Sequence, residues 1–434
     1  MAVIDDGQTG EFLKQTTAYG INYKLDGISH LMERMGNVQE QLRIIHVAGT
    51  NGKGSVCAML ARILTEAGYR TGLYLSPAVF APQEVIQIDG RPISKEDYTA
   101  AVSSVQQACA QMLEAGLRHP TSFEVETAAA FWYFHKKQCA YVVLEAGLGG
   151  AMDATNLITH PLCSVITSIG RDHMAMLGDS VEKIAQAKAG IMKPGCPCVS
   201  SAQKPEVMET LRAAAKDAVC TLRAADPALL SAYTYDGRHS MLEIPDTGDG
   251  KTLRCPLTGA CQKDNITCVL ETVRLLQEQG IGISKQAVRR GLERVSLPGR
   301  MEQIARQPDF YIDGAHNEAA AYCLRETVRN CFAGRRLVYI IGVFADKEYE
   351  KVLELTLPYA ARVFTVTPDH PRALDGQALA KKAGRFHPAV TYAARIRQAA
   401  ACAAKAAGAD GVVLAFGSFS YLGELRQAVR DGIW

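Results

Sequence analysis

The stretch that most constrains the fold is Arg43-Ile44-Ile45-His46-Val47-Ala48-Gly49-Thr50-Asn51-Gly52-Lys53-Gly54-Ser55. An apolar run leads into a Gly-rich turn with one Lys, and a helical pattern follows at Val56, Met59, Leu60, Ile63, Leu64 and Ala67. Strand, Gly-rich loop and helix N-terminus in that order make a phosphate cradle. The glycines let backbone N–H groups face an anion, the helix dipole favours negative charge, and Lys53 supplies a cation. A hydroxyl from Ser55 or Thr50 can reach a phosphate or its Mg²⁺. The spacing departs from the general P-loop. Two residues separate Gly49 from Gly52, and Gly54 stands between Lys53 and Ser55. The bland alternative is a tight βα turn with no ligand, which has no need of that Lys and Ser.

The chain has 434 residues, more than one typical core, so two domains or more are expected. A net charge of +2 makes no electrostatic case for nucleic acid. Met1 to Gly10 carries Asp5 and Asp6 and has no apolar h-region, so no signal peptide is expected there. No stretch approaches the roughly 20 apolar residues of a membrane span. The 13 cysteines are scattered, with no CxxC pair, which argues against a zinc site and for reduced thiols in the cytoplasm.

Residues 1–42 read as helical, with Leu25, Ile28, Leu31, Met32 and Met35 on one face and Gly36 as the stop. A strand at Gly72 to Leu75 ends at Ser76-Pro77, because Pro77 cannot continue a central strand. Alternation from Glu84 to Asp89 gives another strand, and a helix starts at Ser94 with Asp97 as a partial capping box. Thr121-Ser122-Phe123-Glu124 precedes an apolar helix, Val125 to His135. Tyr141 to Glu145, followed by Ala146-Gly147-Leu148-Gly149-Gly150, reads as a central parallel strand. Ser164 to Ile169 is the next strand, ending at Gly170-Arg171-Asp172-His173, and Val181, Ile184, Ala185, Lys188 and Ile191 mark the helix after it.

In open α/β sheets, ligands bind outside the carboxyl ends of the parallel strands. Four strands here end in polar chemistry: the Lys53 loop, Ser76, Glu145 and His173. One parallel sheet would bring all four to a common rim. Residues 217–260 change character to a small antiparallel excursion with a loop at Thr247-Gly248-Asp249-Gly250, and a helix follows from Asn265 to Gln279. Leu297-Pro298-Gly299-Arg300 is the domain boundary, giving domains 1–297 and 298–434. Beyond it, strand and helix patterns alternate: Asp309 to Ile312, Ala319 to Cys331, Leu337 to Phe344, Arg362 to Thr367, Val390 to Tyr392, Ile396 to Ala407 and Gly411 to Phe416. The expected fold class is α/β: a P-loop-type, mostly parallel sheet domain plus a smaller C-terminal Rossmann-like α/β domain.

Each candidate has a plain counterpart. Glu145 closes an apolar strand, where a carboxylate is costly unless it is paired or metal-bound. Ser76 and Glu145 suit Mg²⁺, a hard cation that takes oxygen ligands. His173 is softer, so its own chemistry favours an acid/base role, with loop capping as the alternative. Lys188 falls on an apolar stripe, either snorkelling to the surface or neutralised and modified near a metal. Asp313-Gly314-Ala315-His316-Asn317 closes a strand and opens a helix. Asp313 suits a ribose or base and His316 a phosphate, while Asn317 serves as an N-cap.

These residues together resemble the folylpolyglutamate synthase/dihydrofolate synthase family, a branch of the Mur-type ATP-dependent amide ligases, over nearly the whole chain. His46 to Ser55 is similar to its signature loop. So are Leu144 to Gly150 with Asp153-Ala154-Thr155-Asn156, Ile166 to Gly170 with Asp172-His173, and Lys188-Ala189-Gly190-Ile191. Pro298-Gly299-Arg300, Asp313 to Asn317, Gly417-Ser418 and Tyr421-Leu422-Gly423-Glu424 match second-domain signatures.

The resemblance implies that Gly49, Thr50, Asn51, Gly52, Lys53, Gly54 and Ser55 hold the ATP phosphates. It implies Ser76, Glu145 and His173 as Mg²⁺ ligands, Lys188 as a carbamylated lysine, and Lys53, His173 and Lys188 as the catalytic set. Asn265, Arg300, Asp313 and His316 would meet the nucleotide. Thr121, Ser122, Phe123, Glu124, Asp153 and Ala154 would lie near the pterin. The implied substrates are a folate or dihydropteroate and L-glutamate, with no nucleic acid or membrane partner, and a monomer is expected. The chain departs from the family at Ala78 (usually His), Val85 (Arg), Ala151 (Arg), Cys261 (His) and Glu318 (Pro), which bears on substrate choice. Another Mur-type ligase with a different carboxylate, or a P-loop switch without ligation, are the rival readings.

Overall fold

The computed structural model describes residues 6–20, 22, 24–245 and 252–432. The chain divides into two compact units. The first comprises Met1–Ile169, Leu177–Leu229 and Asp264–Leu292, and the second Gly170–Met176, Leu230–Lys263 and Glu293–Trp434. The chain passes finally into the second unit at Glu293, a few residues before the Pro298 boundary read from sequence.

Among the described residues, the first unit is built on eight strands. They are β1 (Ile44–Ala48), β2 (Thr71–Tyr74), β3 (Ile86–Ile88), β4 (Arg91–Pro92), β5 (Tyr141–Glu145), β6 (Cys163–Ile166), β7 (Cys198–Ser200) and β8 (Leu222–Ala224). Their order is β4-β3-β2-β5-β1-β6-β7-β8. β2, β5, β1 and β6 are neighbours and all parallel. Every residue of these four strands is buried, as expected of a parallel sheet covered on both faces. Helices Lys95–Glu114 and Ser122–Lys136 pack with β2 and β5 into one core that includes Tyr74, Val102, Phe131, Phe134 and Leu144.

Several boundaries move for identifiable reasons. The described residues among the first 42 form two helices, Asp6–Thr16 and Asp26–Arg34, with two 3₁₀ turns. β6 stops at Ile166, three residues before the expected end. The Gln203 side chain takes the Thr167 carbonyl (2.9 Å) and the Ile169 N–H (3.1 Å), so this backbone leaves the ladder. The helix carrying Lys188 is Val181–Ala189, with Ile191 just beyond it.

The second unit holds β9 (Ala232–Tyr235), β10 (Ser240–Glu243) and β11 (Leu253–Cys255) as a three-stranded antiparallel sheet. The expected loop at Thr247 to Gly250 lies outside the described residues. Its six-stranded sheet has β12 (Glu302–Ala305), β13 (Asp309–Ile312), β14 (Leu337–Ile341), β15 (Arg362–Thr365), β16 (Val390–Tyr392) and β17 (Val412–Phe416). The order is β12-β13-β17-β14-β15-β16, parallel except for the edge pair β12–β13. Edge strand β12 and the short helices Tyr349–Thr356, Gly376–Ala383 and Leu422–Arg430 complete the alternation read from sequence. No helix among the described residues is long and apolar enough to cross a membrane.

Candidate active site

The phosphate loop leaves β1 and enters helix Lys53–Glu66 through Gly52, which is left-handed at φ 89°. Two glycines are required here by close approach. A Cβ on Gly49 (φ 156°) would collide with Thr167, and one on Gly52 with the amide of Asn265. Asn265, from helix Gln262–Glu278, is therefore seated directly on the loop. The Ser168 carbonyl accepts from Thr50 N–H at 2.9 Å and Asn51 N–H at 3.1 Å, so the turn after β6 fixes the loop from the far side. The Lys53 ammonium folds over the loop, 3.2 Å from the Gly49 carbonyl and 3.3 Å from that of Thr50.

Glu145 ends β5 beside this loop. Its carboxylate is buried, 4.0 Å from Lys53 Nζ, and its other oxygen lies 3.4 Å from Ser76 N–H. Ser76 and Glu145 are thus adjacent oxygen-bearing residues at the carboxyl ends of neighbouring parallel strands, a donor set suited to Mg²⁺. Lys188 does not snorkel. It is 4% exposed, and its Nζ donates to the Gly49 carbonyl at 2.7 Å. Two lysines from different helices converge on one backbone carbonyl of the loop.

The expected acceptor residues divide into scaffold and surface. Thr121 and Glu124 form a capping box: Glu124 accepts from Thr121 N–H at 2.7 Å and Thr121 Oγ1 at 2.8 Å. Its second oxygen takes Asn22 at 3.1 Å. Asp153 is similarly committed, to Leu148 N–H at 2.7 Å, Thr155 N–H at 3.0 Å and Thr155 Oγ1 at 2.5 Å. Burial pushes the Asp153 carboxyl up, and these hydrogen bonds oppose it. Thr155 gives its proton to Asp153, so its oxygen accepts from His46 Nε2 at 2.9 Å. Burial, helped by the charge of Lys193, holds His46 down to about 3, a neutral ring inside β1. This chain of bonds pins the Gly147–Gly150 loop to the phosphate strand. Phe123 and Ser122 are half-buried, Ala154 is buried, and a Cβ on Gly147 would meet the Phe123 ring.

His173 groups with the second unit, in a left-handed turn at φ 51°. The Lys347 ammonium lies 2.6 Å from Asp172 Oδ1 and 2.9 Å from His173 Nε2. An ammonium only donates, so His173 Nε2 accepts here through its lone pair. Asp172 Oδ2 accepts from Asn317 Nδ2 at 3.0 Å and faces His316 Nε2 at 3.4 Å, while His316 Nδ1 faces the Gly314 carbonyl at 2.8 Å. Burial opposes the charge on Asp172, but His316, Lys347 and His173 outweigh it and hold the carboxyl far below its usual range. Asn317 also caps helix Glu318–Cys331 through Ala320 N–H at 2.9 Å.

Asp313 accepts from Met301 and Ala315 N–H at 2.9 and 2.8 Å. Burial raises its carboxyl, and the nearby Arg300 partly offsets this. Arg300 lies over the Phe419 ring at 4.4 Å. Lys347 escaped the reading of the sequence. It follows β14 in Asp346-Lys347-Glu348, so the polar-strand-end rule applied there would have found it.

Two family descriptions match the chain: the Mur ligase middle domain over residues 47–273 and the Mur ligase glutamate ligase domain over 299–419. The fold and loop therefore define a Mur-type ATP-dependent ligase. A dihydrofolate synthase/folylpolyglutamate synthase of Bacillus subtilis is 35% identical over 82% of this chain and 83% of that protein. One of Mycobacterium tuberculosis is 36% identical over 85% and 79%. The solved Mycobacterium tuberculosis folylpolyglutamate synthase complexed with ADP superposes with a TM-score of 0.87 at 33% identity, covering 98% of both chains. Escherichia coli FolC in complex with DHPP and ADP gives 0.85 at 27%, again over 98% of both. The chain belongs to the folylpolyglutamate synthase/dihydrofolate synthase family of Mur ligases.

Proposed function

We propose that this chain uses ATP to join L-glutamate to the carboxylate of a folate or dihydropteroate. The observation that carries this reading is the convergence of Lys53 and Lys188 on the Gly49 carbonyl, with Glu145 and Ser76 alongside. An acceptor carboxylate oxygen attacks the γ-phosphorus of ATP, ADP leaves, and an acyl phosphate remains. The glutamate amine then attacks the acyl carbon, phosphate departs with that oxygen, and the amine proton passes to solvent. The protein positions the reactants and stabilises charge on the transferring phosphoryl group.

In this reading the amides of Gly49 to Ser55 hold the phosphates and Lys53 screens them. Asn265, Arg300, Asp313 and His316 serve the nucleotide. Ser76, Glu145 and His173 would hold Mg²⁺, which when bound neutralises phosphate charge. Carbamylation of Lys188 would turn its buried nitrogen into a carboxylate beside the loop. Ser122, Phe123 and Ala154 form the acceptor wall, which Thr121, Glu124 and Asp153 hold in place. We assign these tasks to domains 1–297 and 298–434, closing on ATP to exclude water. We also propose a monomer in the cytoplasm; the thirteen free thiols support that compartment.

The test supplies ATP, Mg²⁺ and L-glutamate with dihydropteroate or tetrahydrofolate in separate reactions. Phosphate release should require both a pterin acceptor and glutamate. Release that needs neither pterin would overturn the folate reading, and comparing the two acceptors separates synthase from chain-extending activity.

A further inference from the structure

One face of helix Glu318–Cys331 carries Cys323, Thr327 and Cys331, each one turn from the next. The turns of the small antiparallel sheet meet this face in step. A Cβ on Gly237 would come within 3.3 Å of Cys331, and the Cys331 thiol faces the Tyr235 carbonyl at 4.0 Å. One turn nearer the helix start, Ala260 N–H donates to Thr327 Oγ1 at 3.0 Å, and a Cβ on Gly259 would sit 3.0 Å from the same oxygen. Thr327 Oγ1 in turn donates to the Cys323 carbonyl at 2.8 Å. The residue after Ala260 is Cys261, and one turn further along the helix face is Cys323. The two thiols meet there and hydrogen-bond.

The segment carrying Cys261 is held in place. Tyr233 Oη donates to the Gly259 carbonyl at 2.6 Å, and Gln262 N–H closes on that carbonyl at 3.1 Å. Both cysteines belong to the second unit, and both are reduced and partly exposed. The contact with Cys323, and burial after it, raises the Cys261 thiol well above its usual range. The family usually has His at 261, so the pair is a feature of this chain.

We propose that Cys261 and Cys323 are a redox modification site, which a small-molecule disulfide oxidises to an internal disulfide that weakens nucleotide binding. The Cys323 thiolate attacks one sulfur of the oxidant, giving a mixed disulfide and one departing thiolate. Cys261 then attacks the Cys323 sulfur and expels the second thiolate. The two departing thiolates take up the two cysteine protons, so the protein loses two electrons and the oxidant gains them. Cys261, held as the thiol, is the second of the pair to react. The effect on nucleotide follows from position. Cys261 immediately precedes helix Gln262–Glu278, whose Asn265 sits tightly on Gly52 of the phosphate loop. Asp313 and Arg300 stand close enough for their charges to act on Cys261. A bond between the sulfurs draws the start of this helix toward Cys323. The inference goes beyond the ligase reading and rests on its nucleotide residues alone.

The test treats the reduced full chain with oxidised glutathione, blocks the remaining thiols and maps disulfides by mass spectrometry of unreduced peptides. A Cys261–Cys323 linkage should form and be reversed by dithiothreitol. Oxidised wild type should bind ATP about fivefold or more weakly, the low end of ordinary coupling between two sites. Cys261→Ser should trap one glutathione on Cys323. Cys323→Ser should leave Cys261 unmodified and keep its ATP affinity under the same treatment. No linked peptide, or a linked peptide with unchanged ATP affinity, overturns the proposal. Reduced wild type that binds no ATP overturns the nucleotide reading, and the linked peptide still decides the pair.

Discussion

Lys188 and Lys347 are both largely buried, and their surroundings differ in kind. Lys188 directs its nitrogen to a neutral carbonyl, that of Gly49, inside the first unit. Lys347 directs its nitrogen to a carboxylate, Asp172, and to an imidazole, in the second. A carboxylate at 2.6 Å attracts an ammonium more strongly than a carbonyl dipole at 2.7 Å. In the reading proposed above Lys188 is carbamylated beside the loop, whereas Lys347 meets Asp172 and His173 as a cation. The first unit holds a lysine that donates to the backbone of the phosphate loop. The second holds one whose cation organises its neighbours.

The sharpest way to break this comparison is to truncate each lysine in turn. Lys188→Ala should lower ligase turnover by about a hundredfold or more, the usual scale for losing a group that supports transition-state charge. A short carboxylate added to the assay should restore part of it, with little change in stability. Full activity in Lys188→Ala would remove the case for a modified lysine. Lys347→Met should act first on stability. It removes the cation nearest the largely buried Asp172 carboxylate, leaving Asn317 and His316 beside it, at a cost of about 3 kcal/mol in chemical denaturation. Adding Asp172→Asn should recover part of that loss; if it recovers none, the pair does not act as a unit.

A smaller effect is the acid profile of the same cluster. Asp172 has a folded-state value below its unfolded one, so its stabilisation is present above about pH 4 and is lost as pH falls toward the folded value. Asp172→Asn should flatten that limb of the stability curve, and an unchanged limb would assign acid sensitivity elsewhere.

The same contrast explains what was legible in the sequence. The phosphate loop is written contiguously, because backbone amides and a helix start do the work, so Gly49 to Ser55 could be read residue by residue. Apolar runs ending in polar residues put Ser76 and Glu145 at the ends of strands, and the structure sets β2, β5, β1 and β6 side by side and parallel. The Asp172 cluster joins positions 172, 173, 316, 317 and 347, and no local pattern announces that meeting. Thr121 and Glu124, which the resemblance sets near the pterin, carry a capping-box spelling, and their hydrogen bonds close on each other. For Lys188 the sequence allows snorkelling or a neutralised, modified lysine near a metal, because helical periodicity gives its face and says nothing about what lies above it. The Gly49 carbonyl lies there, and Lys188 is buried against it.

The most direct test of the account follows one oxygen atom. An acceptor whose carboxylate carries heavy oxygen is turned over with unlabelled ATP and L-glutamate, and the released phosphate is analysed by mass spectrometry. An acyl phosphate formed at this site transfers one labelled oxygen into each phosphate as the amide forms. Unlabelled phosphate, with amide still produced, would contradict phosphoryl transfer to the acceptor and with it the role given to the Gly49–Ser55 loop.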